Sequence, residues 1–191
     1  MSAPRRAVAT RRPRRLKVSV RSSVASTALE LPEAQVVDSV LDLSRRQLLK
    51  LALPPSLRDA FFSLTTLDVS RNRLRTLPDE ALDALPCLES LDCSYNLLRS
   101  LGLSSGRSLP ASLVRVDASR NLVARIGNAL SECVDLRIAV LSHNCIALVD
   151  GLEHLRALEE LDLAGNRVKS GHGLRPLACN GALRALRPCI V

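Results

Sequence analysis

Aromatic residues are nearly absent from this chain: its 191 residues include no Trp, one Tyr and two Phe. With 47% of residues apolar it can still bury a core, but one filled by leucine rather than rings, which favours a repetitive layered interior. No apolar run approaches the ~18 residues of a membrane span, so no membrane contact is expected. A secretory core near the N-terminus is lacking as well. Cys87, Cys93, Cys133, Cys145, Cys179 and Cys189 form no C-x-x-C pair and no dense cluster. They read as reduced thiols of an intracellular, cytoplasmic protein.

Carboxylates are missing from residues 1–29, where Arg5, Arg6, Arg11, Arg12, Arg14, Arg15, Lys17 and Arg21 stand. The remaining residues, 30–191, balance acid against base, so the net charge of +8 belongs to this arm. High charge with little to bury predicts a disordered basic arm. It suits an acidic partner such as nucleic acid or the acidic tails of tubulin, a nuclear import signal, a mitochondrial transit peptide, or simply a solvated tail. KVSV (17–20) resembles the docking motif of protein phosphatase 1, which ends in an aromatic where Val20 stands here.

Groupings that carry chemistry are also scarce. His143 and Cys145 are two apart, and His154 and His172 lie on separate turns, so no metal site is expected. Neither a phosphate loop nor a dinucleotide fingerprint occurs, and no cofactor or small-molecule substrate is expected.

What is present is a spacing. In LTTLDVSRNRL (64–74) the apolar residues fall 3, 2 and 5 apart, which neither a strand period of two nor a helix period of 3.6 reproduces. The same spacing returns in LESLDCSYNLL (88–98), LVRVDASRNLV (113–123), LRIAVLSHNCI (136–146) and LEELDLAGNRV (158–168), with a degenerate first copy, DSVLDLSRRQL (38–48). Marker positions at 41, 67, 91, 116, 139 and 161 are separated by 26, 24, 25, 23 and 22 residues. GALRALRPCIV (181–191) begins a seventh copy, with Pro188 in an inward slot.

This signature, L-x-x-L-x-L-x-x-N-x-L, resembles the leucine-rich repeat family over nearly all of residues 36–187. TLPDEALDALPCLESLDCS (76–94) resembles its 24-residue class, with a short helical turn on the convex side; LVDGLEHLRALEELDLAGN (148–166) resembles the 22-residue class. The resemblance implies an α/β fold: residues 30–191 as a right-handed solenoid, or horseshoe, of six readable repeats plus an incomplete seventh, with a short-stranded parallel sheet on its concave face. Asn72, Asn96, Asn121, Asn144 and Asn166 then form a buried ladder whose amides satisfy main-chain groups that stacked coils hide from water. Arg46, in the asparagine slot of the first copy, is expected in a solvated cap.

Stacking the copies turns the sequence into columns. Asp42, Asp68, Asp92, Asp117, Val140 and Asp162 place carboxylates on the concave face, where neighbours ~4.8 Å apart repel. Cations of the column three residues on, Arg45, Arg71, Tyr95, Arg120, His143 and Gly165, are expected to offset them. A regular row gives every carboxylate one environment, whereas acid–base catalysis needs two. The serines at 44, 70, 94, 119 and 142 sit in no nucleophile elbow, and no catalytic residue is expected.

Arg45, Arg71, Tyr95, Arg120, His143, Asp68, Asp92 and Asp117 are therefore the expected partner-binding residues on the concave face, Arg and Tyr being enriched at interface hot spots. The function expected is that of a non-catalytic scaffold or adaptor subunit of an intracellular assembly. Repeat proteins similar in size and class include axonemal dynein light chains, phosphatase 1 regulators and the spliceosomal A-prime subunit, which puts cytoskeletal or ciliary and phosphatase-regulatory assemblies in view. The alternatives are a nucleic-acid-associated protein held by its arm and an organelle-imported repeat protein.

Overall fold

The computed structural model describes residues 39–53, 61–168, 174 and 177–188. The basic arm, residues 1–29, lies outside them, as do Lys17 with the rest of KVSV, His172 and Cys189.

Each copy of the repeat contributes one three-residue strand: β1 (Val40–Asp42), β2 (Thr66–Asp68), β3 (Ser90–Asp92), β4 (Arg115–Asp117), β5 (Ile138–Val140), β6 (Glu160–Asp162) and β7 (Ala185–Arg187). They pair in chain order as one parallel sheet. Parallel neighbours need a long crossover, and here each coil supplies it. The register runs Leu41, Leu67, Leu91, Val116, Ala139, Leu161 and Leu186 through the strand centres. All but the last are buried, and Leu186 is 38% exposed.

The two inward positions of each strand segment, with the leucines that precede and follow, make one continuous apolar column from Leu41 to Leu177. Burying a leucine side chain contributes roughly 1.5–3 kcal/mol, so stacked leucine layers supply most of the drive to fold. Residues on either side of each strand centre face the open side.

On the convex side the returns differ. The coil with the LP sequence forms the helix α1 (Asp79–Asp83), which buries Ala81 and Leu82 and carries Asp79 and Glu80 in its first turn, where the helix dipole favours negative charge. Asp79 also reaches the next coil, accepting from the Ser104 hydroxyl at 2.6 Å, from Ser105 through its N–H and hydroxyl, and from Arg107. The Ser104 and Ser105 hydrogen bonds hold its carboxyl well below the usual range. A single 3-10 turn, Gly127–Leu130, serves the coil after next.

Inside each of the turns that follow β2 to β6 lies an asparagine. Asn96 donates its amide hydrogens to the carbonyls of Val69, Cys93 and Ser94 at 3.0, 3.1 and 3.2 Å, and its Oδ1 accepts the N–H of Leu74 at 3.0 Å. Asn121 repeats this with Cys93, Ala118, Ser119 and the N–H of Leu98, and Asn144 with Ala118, Leu141, Ser142 and Val123. Asn166 binds Leu141 and Leu163 and accepts from Ile146. At the first coil Asn72 Oδ1 accepts from both Arg46 and Leu48.

Arg46 departs from the expected solvated cap. It is half-buried, its N–H is held by Asn72 at 3.0 Å, and its guanidinium folds back onto the carbonyl of Asp42 at 3.1 Å. Too large for the asparagine slot, its side chain lies across the coil while its main chain still uses the ladder.

Sequence reading also missed a second polar position, three residues before the first leucine of the motif. There Cys133 Sγ lies 3.4 Å from the carbonyl of Pro110, and Asn180 donates to the carbonyls of Leu152 and Leu155 at 2.9 and 2.7 Å. The signal was available in a column reading Phe61, Leu85, Pro110, Cys133, Leu155 and Asn180.

The five described cysteines are free, and they fall into reactivity classes. Burial pushes the Cys93 thiol far up and the Cys133 thiol up to about 12, so neither forms a thiolate near neutrality. In the native protein an alkylating reagent should modify exposed Cys87 and Cys179 first, half-buried Cys145 later, and Cys93 and Cys133 only after denaturation. Peptide mapping by mass spectrometry reads this directly. Modification of Cys93 as fast as Cys87 would contradict the packing described.

Candidate interaction surface

The open face of the sheet is built from the residues beside each strand centre. Asp42, Asp68, Asp92 and Asp117 lie opposite one another, the column is interrupted by Val140, and it continues through Asp162 to Arg187. Each aspartate turns one oxygen back on its own chain. Oδ1 accepts the N–H two residues on, from Ser44, Ser70, Ser94, Ser119 and Ala164, at 2.8 to 3.0 Å. The serine column thus meets the strand end through its N–H groups.

Desolvation raises the Asp68 carboxyl, its hydrogen bonds to Ser70 oppose this, and the charges of Asp92 and Asp42 add to the rise. Among the described residues no ion pair links Asp42, Asp68, Asp92 or Asp117 to the neighbouring cations; only Asp162 has one, with Arg187 at 3.9 Å. The expected offset by arginine is therefore corrected: main-chain N–H groups supply it, because they lie within one turn and the guanidiniums point elsewhere.

The arginine column itself stands past the strands, on the rim, rather than within the concave sheet. Its residues take left-handed backbone: Arg45, Arg71, Tyr95, Arg120 and His143 have φ between 53° and 57°, and Gly165 has φ 68°. An L-residue there costs roughly 1–2 kcal/mol, and glycine costs nothing. The turn tolerates it because both ends are pinned, each N–H reaching a carbonyl of the next coil, as Arg71 does to Ser94 and Tyr95 to Ser119 at 2.9 Å.

This geometry stacks side chains coil upon coil. The Arg71 guanidinium lies 4.3 Å from the centre of the Tyr95 ring and that of Arg120 lies 5.1 Å from it, one from the coil before and one from the coil after. Each such contact at an exposed site contributes about 0.5–1 kcal/mol. Tyr95 remains 41% exposed. Further along, the His143 ring rests against Gly165, where a Cβ would come within 2.7 Å of Nδ1. Arg71, Tyr95 and Arg120 are thus brought together, His143 packs beside them on glycine, and Arg45 stands exposed at the first coil.

Beyond the rim lies a flank that the overall charge balance concealed. Residues 43–51, 69–77, 93–101, 118–126, 141–149 and 163–168 contain Arg45, Arg46, Lys50, Arg71, Arg73, Arg75, Arg99, Arg120, Arg125 and Arg167, and no Asp or Glu. Coil-to-coil hydrogen bonds, from Leu97 N–H to Leu74, Leu122 to Leu98, and Arg167 to Ile146, hold these segments in register. The solenoid body is neutral in sum but divided, with acids on the sheet and the opposite edge. Column-by-column charge, rather than the total, would have revealed it.

Among the described residues no group of three or more His, Cys, Asp or Glu could hold an ion. No described helix is long and apolar enough to cross a membrane.

Comparison with known proteins agrees with this architecture. Residues 62–123 match the leucine rich repeat family model. A Leptospira interrogans protein, LIC12759, described as an LRR protein, superposes with a TM-score of 0.56 at 22% identity, covering 71% of this chain and 34% of that one. The leucine-rich repeat domain of APL1B gives a TM-score of 0.49 at 26% identity over 68% of this chain and 37% of that one. The ectodomain of the Arabidopsis thaliana receptor kinase GASSHO1/SCHENGEN3 gives 0.43 at 26% identity, over 60% of this chain and 14% of that one. This chain therefore spans little more than a third of these structures at most. No curated protein matches its sequence. The fold defines a parallel-stranded repeat solenoid of the kind that leucine-rich repeat proteins form, and residues 62–123 carry that family's repeat.

Proposed function

We propose that this protein is a non-catalytic adaptor that presents its concave sheet and adjoining rim to a protein partner within an intracellular assembly. The reading is carried by the Arg71–Tyr95–Arg120 stack: three exposed side chains of the types that anchor interfaces, held at successive coils on left-handed backbone that glycine would occupy without strain. A cytoplasmic setting, with cytoskeletal, ciliary or phosphatase-regulatory assemblies as its context, belongs to this proposal. Cys93 and Cys133 would serve there as buried thiols. A second reading, attachment to nucleic acid or to tubulin tails through the arm, rests on its eight basic residues without a carboxylate.

Glycine, which the column already accepts at Gly165, removes a rim side chain without adding strain. Affinity capture with the full chain should recover a partner that the variant Arg71→Gly/Tyr95→Gly/Arg120→Gly/His143→Gly recovers at less than about a tenth of that level. Thermal melting checks that the variant is folded. Equal recovery by both would refute the choice of face. A chain lacking residues 1–29 should keep the partner if the adaptor reading holds and lose it if the arm does the binding.

A further inference from the structure

We infer that the acid-free flank beside the rim docks an acidic segment of a partner protein in which carboxylates alternate with leucine-sized apolar side chains. The inference rests on the adaptor reading and names the chemistry of one contact. In the column just past the asparagines, Arg73 and Arg167 bracket Leu97, Leu122 and Cys145. Leu97 and Leu122 are 40% and 45% exposed on adjacent coils, side by side. Arg75 and Arg99 stand two residues further along their own coils. Among the described residues none of Arg73, Arg75, Arg99 and Arg167 forms an ion pair, whereas Arg107, Arg125, Arg137 and Arg187 each do. Cations without carboxylates beside them, around a small apolar centre, complement a segment carrying both kinds of group.

Nucleic acid fits this surface less well. A base needs a free aromatic face, and the tyrosine here already carries the guanidiniums of Arg71 and Arg120 over its ring. Exposed leucines gain by covering with apolar side chains instead. Four coil spacings separate Arg73 from Arg167, about 19 Å at the usual strand separation, which roughly six extended residues span.

The test is fluorescence anisotropy on the full chain with three labelled probes: an octapeptide alternating Glu and Leu, the same peptide with Ser for Leu, and an eight-nucleotide single-stranded oligothymidylate. Binding of the Glu-Leu peptide should weaken about fivefold or more in Arg73→Ser/Arg99→Ser, and similarly in Leu97→Ser/Leu122→Ser. The Glu-Ser peptide should bind more weakly and be indifferent to the leucine change. Arg156→Ser/Arg184→Ser, which removes equal charge elsewhere, should change affinity less than about twofold. The inference is overturned if that control weakens binding as much, if the peptide does not bind, or if the oligothymidylate binds more tightly and is the probe that loses affinity with Arg73 and Arg99. Because the quadruple-glycine variant leaves these residues in place, failure of partner capture there and failure of peptide binding here can be told apart.

Discussion

Asn121→Leu is expected to destabilise the protein by about 3–5 kcal/mol, lowering the melting temperature by roughly 10 °C, since each kcal/mol shifts a domain of this size by ~2–4 °C. The estimate follows from which groups lose their partner outright. The carbonyls of Cys93, Ala118 and Ser119 each keep a second donor, from Asn96, Asn144 and Tyr95. The N–H of Leu98 keeps none, because Asn121 Oδ1 is its acceptor at 3.0 Å and the site is buried. An orphaned buried donor costs about 1–3 kcal/mol, and forcing a branched apolar side chain among four main-chain groups adds a comparable amount. Arg73→Leu, one residue past Asn72 but exposed, should stay within about 0.5 kcal/mol of the parent. Differential scanning calorimetry of the pair decides the matter: a melting point for Asn121→Leu within ~2 °C of the parent would mean that the ladder is not what holds the turns.

Gly151→Ala should be of similar severity for a different reason. Gly151 has φ 75°, which already costs an alanine about 1–2 kcal/mol. A Cβ there would also stand 1.9 Å from the carbonyl oxygen of Gly127 and 2.9 Å from its carbon, main-chain atoms of the preceding coil that no rotamer change can move aside. That coil is tied to the same place, since Asp150 accepts the Gly127 N–H at 3.1 Å and pairs with Arg125 at 2.8 Å. Either the clasp opens or the coils separate, and a loss of about 3–5 kcal/mol is expected. Gly106→Ala is the control: φ is 84°, nothing lies within 4 Å, and only the backbone term of about 1–2 kcal/mol should appear. If urea melts place the two variants together, the close approach at Gly127 contributes nothing.

The strands and their register were legible because repetition does the work of an alignment. Once Leu67, Leu91 and Val116 are seen as equivalent, their pairing in parallel follows without further assumption. The asparagine slot was legible for a related reason: a polar residue recurring at a fixed distance from inward leucines needs a buried partner. What escaped was information that lies across copies rather than along them. The left-handed backbone of the rim was signalled by Gly165 alone, one glycine among charged and aromatic residues. The division of charge vanished when acids and bases were summed over the body. The stack on Tyr95 depends on side-chain directions that spacing does not encode. Arg46 illustrates the limit from the other side, since its chemistry excluded the buried amide role but said nothing of where its own N–H would go.

The asparagine bonds also have a direction. Asn96 accepts from Leu74 and donates to Val69, Asn121 reaches Leu98 and Cys93, and Asn144 reaches Val123 and Ala118, always toward the N-terminal neighbour. On a ribosome, each newly emerged amide finds its acceptors and donors already translated. Vectorial growth can therefore seat each amide against a finished template, while rim N–H groups such as those of Arg71 and Tyr95 are closed only when the following coil arrives.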